Sequence, residues 1–206
     1  MIRNIVFDMG NVLIYFDRDI FLSRVGLKDP ADRELLKREV YLSLEWACLD
    51  SGALTPKEAE PLMCARLPER LHGYVRRLVS EWARPILPVP GMEQLVRELK
   101  ANGYGIYLLS NAAVDQHDYW PSVPGSDCFD GTVISADEKC VKPEQRIYGI
   151  LCERFSLNPG ECLFIDDAGL NAEGAVRFGM QALVFHNDVP ELRRKLREAG
   201  VRCGEG

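Results

Sequence analysis

Short apolar segments that each stop at a polar side chain recur along this 206-residue chain and constrain its fold more than any other feature. Three of them end at the following polar residues: Asp8, Ser110 with Asn111, and Asp166 with Asp167. Segments this short and apolar are typical of parallel strands that are buried on both faces of a sheet. Because open α/β sheets bind ligands at the carboxyl ends of their strands, these polar groups are predicted to meet at one such edge.

Strands and helices alternate after residue 91. The predicted strands are 4–7, 104–109, 132–134, 162–165 and 182–185, and the predicted helices are 91–101, 143–155, 172–178 and 190–199. This alternation indicates right-handed crossovers and a doubly wound parallel α/β sheet of Rossmann type. We expect the first strand to lie centrally in a flavodoxin-like order, with its tip where the strand order reverses.

The connection after the first strand is too long for a loop, so it must hold structure of its own. Between residues 17 and 85 the apolar residues recur at the three-to-four spacing of amphipathic helices. Thr55-Pro56-Lys57-Glu58 predicts a helix start with a capping box. We therefore predict a small bundle of about four helices in residues 16–85, inserted into a core of residues 1–15 and 86–206.

Composition and charge argue against several functions. The net charge is −6 and no long basic run is present, which disfavours nucleic acid as a partner. No apolar stretch approaches a membrane span, and Arg3 and Asp8 interrupt the apolar start that a secretory signal needs. Seven cysteines without a CxxC pair predict reduced thiols, so we expect a cytoplasmic protein without a membrane partner.

The carboxylates at the predicted strand ends suggest chemistry on an anionic group with the help of a metal. Asp8 is a candidate nucleophile, because a carboxylate can attack phosphorus and form a covalent intermediate. A turn or helix cap after the strand is the alternative role for Asp8. Asp166 and Asp167 repel each other unless a cation lies between them, and Mg2+ prefers such ligands. The alternative for this pair is a solvated acidic turn.

Ser110, Asn111 and Lys142 are candidates for binding that anion. A hydroxyl and an amide, followed by free backbone N–H groups of a predicted helix, suit phosphoryl oxygens, although this pair is also a common helix cap. We place Pro143 at the first position of a helix, where it would fix the direction of Lys142. An acidic protein that binds a phosphate needs such a local cation.

The order of these motifs resembles the haloacid dehalogenase superfamily of aspartate-nucleophile phosphohydrolases, across nearly the whole chain. The resemblance implies that Asp8 is the nucleophile and that Lys142 neutralises it and the transferring phosphoryl group. It also implies that Ser110, Asn111 and Gly10 bind that group. The inserted bundle resembles the helical cap that closes over the site in this family.

The resemblance also implies a Mg2+ site. Asp8, the backbone carbonyl of Gly10 and Asp167 would be direct ligands, and Asp166 would mainly support them. Asn171 stands where many relatives have a further Asp, which lowers the negative charge around the metal.

Gly10 departs from most phosphatases of the family, which carry their general acid there. The Asp8-x-Gly10-Asn11-Val12 form is similar to the bacterial glucose-1-phosphate-type phosphatases and to the N-terminal phosphatase domain of epoxide hydrolases. A sugar 1-phosphate has an acidic leaving oxygen that needs little help from a general acid. Asp17, near the start of the insertion, is a candidate substitute acid, and a cap for the helix 18–24 is its alternative role.

We therefore expect a phosphatase that acts on a small phosphorylated metabolite, such as a hexose 1-phosphate. One alternative is a catalytically weak domain that binds a phosphorylated ligand. A second is a 2-haloacid dehalogenase, which the acidic pair and the missing aromatic at position 10 disfavour. Four aromatic residues are predicted either to pack the bundle or to line a substrate pocket: Tyr15, Phe16, Trp46 and Trp82.

Overall fold

The computed structural model describes residues 1–204, which form a parallel sheet with helices on both faces and a separate helical segment. The strands within this range are β1 (Asn4–Phe7), β2 (Gly105–Ser110), β3 (Gly131–Ile134), β4 (Cys162–Asp166) and β5 (Gln181–Val184). Every predicted strand is present within one residue of its expected bounds. The doubly wound α/β prediction is therefore confirmed.

The strand order is β3-β2-β1-β4-β5, and every neighbouring pair is parallel. The central position of β1 is confirmed, but the flavodoxin-like order is wrong. In that order β3 would adjoin β1, whereas here β4 does. Burial gives the physical reason, because β4 is buried along its whole length and β3 is half-exposed at Gly131 and Thr132. The order therefore reverses between β1 and β4, which is where a ligand site is expected.

Residues 18–80 form the helical segment, which we call the cap. It contains α1 (Arg18–Arg24), α2 (Pro30–Leu36), α3 (Leu44–Asp50), α4 (Pro56–Cys64) and α5 (His72–Ser80). The predicted capping box is confirmed, because the Thr55 backbone N–H donates to Glu58 Oε2 over 2.8 Å. The cap helices pack around their own apolar cluster, separate from the cores of the sheet, with Leu36 and Met63 at its centre. The proposed bounds of 16 and 85 enclose these helices and stay a prediction.

The remaining helices cover the two faces of the sheet. They are α6 (Met92–Ala101), α7 (Gln116–Tyr119), α8 (Ser135–Glu138), α9 (Gln145–Phe155), α10 (Gly169–Phe178) and α11 (Val189–Glu198). The prediction that Pro143 begins a helix is wrong, because Glu144 is an N-cap with non-helical backbone and α9 begins after it. Among residues 1–204 no helix has both the length and the apolarity to cross a membrane.

The register of the central strands brings the predicted carboxylates together. Phe7 is paired with Leu108 on one side and with Ile165 on the other. The Asp8 backbone N–H then donates to the Ile165 carbonyl over 2.9 Å. Asp8, directly after β1, and Asp166, the last residue of β4, thus lie at the same edge, where the strand order reverses.

Candidate active site

A buried lysine links two of the carboxylates at this edge. Lys142 Nζ lies 2.7 Å from Asp8 Oδ1 and 2.7 Å from Asp166 Oδ2. The side chains are almost fully shielded, with exposed fractions of 1% for Lys142, 10% for Asp8 and 0% for Asp166. Charges this deeply buried are tolerated only when they are paired and hydrogen-bonded, so the three groups stabilise one another.

Asn111 holds this lysine from the neighbouring strand end. Its Oδ1 accepts from the Lys142 backbone N–H over 2.8 Å, and its Nδ2 donates to the Lys142 carbonyl over 3.1 Å. The Lys142 ammonium also lies 5.3 Å from the centre of the Phe164 ring. The side-chain amide of Asn111 therefore positions the lysine, which corrects the expectation that Pro143 does so.

The first backbone N–H group after Asn111 is used within the protein, because the Ala112 N–H donates to Ser135 Oγ over 2.9 Å. The next helix, α7, begins only at Gln116. Ser110 is buried at the end of β2 and is not among the residues that line the cavity described below. Binding of a phosphoryl group by Ser110 and Asn111 stays a prediction.

Three carboxylates form a cluster at the strand tips. Oxygens of Asp8, Asp166 and Asp167 lie within 4.8 Å of one another. Against three carboxylates stands one ammonium, that of Lys142, which leaves an excess of two negative charges when all four groups are ionised. A divalent cation with a preference for carboxylate oxygen, such as Mg2+, fits this donor set and balances its charge.

The two adjacent aspartates differ in their surroundings. Asp166 accepts hydrogen bonds from Lys142, from the Ala168 backbone over 2.8 Å and from Asn171 Nδ2 over 3.1 Å. Asp167 is exposed and accepts from Asn11 Nδ2 over 3.0 Å. The oxygens of Asp166 are thus occupied by protein donors, which suits a supporting role, and Asp167 is the freer ligand.

Burial acts strongly on the ionisable groups here. It raises the pKa of Asp8 to about 7, a shift that Lys142 opposes and Asp166 reinforces. For Lys142, burial alone lowers the pKa, but the charges of Asp8 and Asp166 outweigh it and raise the pKa overall. Lys142 is therefore a permanent cation, while an ionised Asp8 needs the positive charge around it.

A cavity of about 440 Å³ separates this edge from the cap, a size that suits a small ligand. The sheet edge contributes Asp8, Gly10, Asn111, Lys142 and Asp167, and the cap side contributes Phe16, Arg18, Tyr41, Trp46, Asp50 and Trp82, among other residues. One wall of the cavity is therefore charged and the opposite wall is largely aromatic.

The aromatic wall is a packed cluster centred on Phe16. Its ring centre lies 5.1 Å from that of Trp82 and 5.8 Å from that of Trp46, while Tyr41 and Trp46 are 4.8 Å apart. Phe16, Trp46 and Trp82 both pack against the cap core and line the cavity, so the two predicted roles coincide. Tyr15 packs against the sheet core and does not line this cavity.

Asp17 caps α1, as its alternative role predicted. Its Oδ1 accepts from the backbone N–H groups of Asp19 and Ile20 over 2.8 and 3.0 Å. Asp17 does not line the cavity that contains Asp8. Gly10 does line it, and a Cβ at Gly10 would lie 3.7 Å from the Phe16 Cβ, an ordinary contact.

Several residues of the site were not predicted, among them Asn11, Tyr41 and Asp50. Asn11, with a φ of +53°, donates to Asp167 and accepts from the Phe16 backbone N–H over 3.0 Å, so it ties the acidic cluster to the start of the insertion. Its position after Gly10 in a turn was the available signal, since Asn tolerates this backbone. Tyr41 and Asp50 lie in the cap and belong to no motif.

Comparison with known proteins shows the family of the chain. A family model described as haloacid dehalogenase-like hydrolase matches residues 2–179. The chain is 28% identical to the sesquiterpene phosphatase astK of Aspergillus oryzae over 86% of this chain and 87% of that protein. It is 29% identical to mouse bifunctional epoxide hydrolase 2 over 55% of this chain, but spans only 22% of that larger protein.

Solved structures share the fold. A Bacteroides thetaiotaomicron enzyme of the HAD family, in complex with magnesium and inorganic phosphate, superposes with a TM-score of 0.71 at 22% identity. The match covers 93% of this chain and 99% of that one. With the family match spanning most of its length, the chain belongs to the haloacid dehalogenase-like hydrolases.

Proposed function

We propose that the protein is a Mg2+-dependent phosphatase that hydrolyses a small phosphomonoester through an aspartyl-phosphate on Asp8. The observation that carries this proposal is the contact of buried Lys142 with Asp8 and Asp166, beside exposed Asp167. Phosphoryl transfer needs a positioned nucleophile and neutralised charge more than any other assistance, and this set of residues provides both.

Each residue takes one part in this chemistry. An Asp8 oxygen attacks phosphorus and displaces the alcohol, and water then attacks the phosphorus of the aspartyl-phosphate. Lys142 neutralises Asp8 and the transferring group. Asp8, the Gly10 carbonyl and Asp167 would hold Mg2+, with Asp166 in support. When bound, the ion would offset charge on the phosphoryl oxygens, as the Bacteroides enzyme crystallised with magnesium and phosphate suggests.

For the organic part of the substrate we propose a sugar phosphate, such as a hexose 1-phosphate. Aromatic rings commonly bind the C–H face of a sugar, and the ring of Trp46 lines the cavity. Tyr41 lines the cavity, and its buried hydroxyl has no hydrogen-bond partner among residues 1–204, so a side-chain rotation that turns it towards the cavity would give it a sugar hydroxyl as partner. The leaving oxygen of an anomeric phosphate is acidic and needs little help from a general acid, which suits a sheet edge where Gly10 supplies none.

A second candidate substrate is the phosphate of an apolar alcohol. The aromatic cluster around Phe16 favours it, because such a wall offers more apolar than polar contact. The similarity to a sesquiterpene phosphatase over most of both chains supports the same candidate.

Two other interpretations fit the site less well. A haloacid dehalogenase does not need a metal-type acidic cluster, yet Asp8, Asp166 and Asp167 form one. A domain that only binds phosphate does not need a lysine on a strand-end carboxylate. We therefore keep phosphatase as the leading proposal.

The test is a panel of phosphomonoesters, assayed with Mg2+ and after chelation. Wild-type protein should release phosphate only with the metal, and Asp8→Asn should not. Comparing hexose 1-phosphates, hexose 6-phosphates and terpenyl or aryl phosphates then separates the two substrate candidates. Metal-independent hydrolysis, or hydrolysis that survives Asp8→Asn, would rule out the proposal.

A further inference from the structure

We infer that Asp50, at the end of cap helix α3, is the general acid that replaces the carboxyl absent at Gly10. This inference rests on the proposed phosphatase function. Gly10 has no side chain that could donate a proton, so an ester with a poorly acidic leaving oxygen needs a proton donor elsewhere in the cavity. Among residues 1–204, the carboxyls that line the cavity without belonging to the acidic cluster are those of Asp50 and Asp115.

Asp50 is held in the cavity that contains the nucleophile by contacts between cap and core. Its backbone carbonyl accepts from Ser135 Oγ, which also accepts from the Ala112 N–H over 2.9 Å. Two residues further on, the Gly52 carbonyl accepts from Lys139 Nζ. The turn that follows α3 therefore rests on the segment that follows β3, and Asp50 lines the same cavity as Asp8 and Lys142.

Gly52 shows how close this contact is. Its φ is +67°, and a Cβ at this position would lie 2.1 Å from the Ala136 carbonyl oxygen. A side chain therefore cannot be added without moving the turn. The backbone of Asp50 is thus fixed relative to β2 and β3, whose ends carry Asn111 and Ser135.

The carboxyl of Asp50 is free to act on a ligand. Among residues 1–204 it has no hydrogen-bond partner, in contrast to Asp17, whose carboxyl is used as a helix cap. Burial, followed by repulsion from Asp8, raises the pKa of Asp50 to about 7, while Lys142 lowers it and Asp115 raises it. The other charged residues that line the cavity are Arg18 and Asp167.

Asp50 is preferred over Asp115 because of where the two carboxyls lie. The turn that carries Asp50 is fixed to the core through Ser135, whereas Asp115 also lines a second cavity beside Arg84 and Asp118. Lys142 contacts the Asp8 carboxylate directly and makes no such contact with Asp50, so the ammonium favours the ionised nucleophile and leaves Asp50 as the carboxyl that holds a proton.

The proton balance closes over one turnover. An Asp8 oxygen forms a bond to phosphorus as the ester O–P bond breaks, and the Asp50 proton passes to the leaving oxygen, which departs as an alcohol. Water then attacks the phosphorus, the bond between the Asp8 oxygen and phosphorus breaks, and the water proton returns to Asp50. Phosphate leaves, and both carboxyls regain their starting states.

The experiment compares two esters that differ in their need for an acid, hexyl phosphate and 4-nitrophenyl phosphate, in the Mg2+-loaded protein. Asp50→Asn should lower kcat/KM for hexyl phosphate by about 10²-fold or more, and for 4-nitrophenyl phosphate by less than about 3-fold. Asp17→Asn is the matched control, since Asn also caps a helix, and it should leave the ratio of the two esters unchanged.

A pH profile of the unmutated protein supplies a second readout. The acid must be protonated, so kcat/KM for hexyl phosphate should fall as the pH rises above about 7, the pKa of Asp50. The 4-nitrophenyl ester should lack this fall. Both esters share the ionisation of their own phosphate group, so the difference between the profiles isolates the acid.

The outcomes are distinct. An equal loss on both esters, a ratio that changes in Asp17→Asn or Asp115→Asn instead, or two superimposable pH profiles would overturn the role of Asp50 while leaving the phosphatase intact. A protein that hydrolyses neither ester nor any other phosphomonoester of the panel would overturn the proposed function and this inference together.

Discussion

The two walls of the cavity are built on opposite principles. The sheet edge is charged, and its buried groups are held by partners on three strand ends, as Lys142 is by Asp8, Asp166 and Asn111. The cap wall is aromatic, and its cluster around Phe16 leaves the Tyr41 hydroxyl unpaired. Charged groups that are held in place suit the phosphoryl transfer itself, which is the same for every substrate. The apolar wall contacts the organic part of the substrate and therefore suits the choice among substrates.

This contrast predicts that changes at the sheet edge abolish turnover. Asp8→Asn removes the nucleophile while keeping the size and a hydrogen-bond acceptor for Lys142, so we expect a folded protein. Hydrolysis should fall by roughly 10⁴-fold or more. A steady-state assay with Mg2+ measures the loss, with Asp188→Asn, at the exposed cap of α11, as the matched control. Turnover near the wild-type level in Asp8→Asn would show that the charged sheet edge does not carry the chemical step.

The second prediction concerns stability at the same edge. Lys142→Met leaves Asp8 and Asp166 buried without their cation, and removal of one partner from a buried pair costs about 3–5 kcal/mol. Arg76→Met, which breaks the exposed cap pair with Glu60, should cost about 1 kcal/mol or less. Denaturant unfolding without metal compares the two variants. Similar losses in the free energy of unfolding would mean that the buried ion pairs of Lys142 stabilise the protein no more than an exposed ion pair of the cap.

The sequence allowed the chemistry of the edge to be predicted better than its construction. Asp8 and Asp167 follow apolar strands directly, so local pattern alone places them at the edge. We expected Pro143 to fix the direction of Lys142. Asn111 holds the lysine instead, and that contact joins residues 31 positions apart in the chain. The place of β3 was missed for a similar reason, because burial of whole strands, and not their local pattern, sets the strand order.

For the cap, the construction was predicted better than the residues that line the cavity. Its helical character follows from the spacing of apolar residues, and the capping box at Thr55 was predicted correctly. Asp50 was missed because its position depends on how the turn before Gly52 rests on Ser135, a contact between distant parts of the chain. Tyr41 was missed because an aromatic residue in a helical stretch is usually core.

The third prediction tests the metal ligands. Asp167→Ala removes the carboxylate with the fewest protein donors, so Mg2+ affinity should fall by about 10-fold or more. Asp188→Ala, outside the acidic cluster, should leave the affinity unchanged. Titration calorimetry with MgCl2 measures both. Unchanged Mg2+ binding by Asp167→Ala would mean that the cluster is not the metal site.

The fourth prediction moves the acid from one wall to the other. Gly10→Asp should fold, because a Cβ at Gly10 makes only an ordinary contact with Phe16. In the Asp50→Asn background it should restore hydrolysis of hexyl phosphate about 10-fold and leave 4-nitrophenyl phosphate nearly unchanged. Kinetics of the double variant against Asp50→Asn give the ratio. Equal gains on both esters would show a general effect on binding and not a recovered acid.

The smallest expected effect lies in the cap and separates the two substrate candidates. Tyr41→Phe removes a buried hydroxyl that has no partner among residues 1–204, so the ligand-free protein should gain about 1 kcal/mol in its free energy of unfolding. For a sugar phosphate that uses this hydroxyl, KM should rise several-fold while kcat changes little, since Tyr41 takes no part in the proposed phosphoryl transfer. For a terpenyl phosphate, KM should stay the same or fall. Thermal unfolding without ligand and kinetics on both esters make the comparison, with Tyr15→Phe, outside the cavity, as the control. A rise in KM for the terpenyl ester alone would contradict both substrate candidates. A terpenyl group has nothing that the lost hydroxyl could bind, and a sugar phosphate that binds this hydroxyl should be the ester affected.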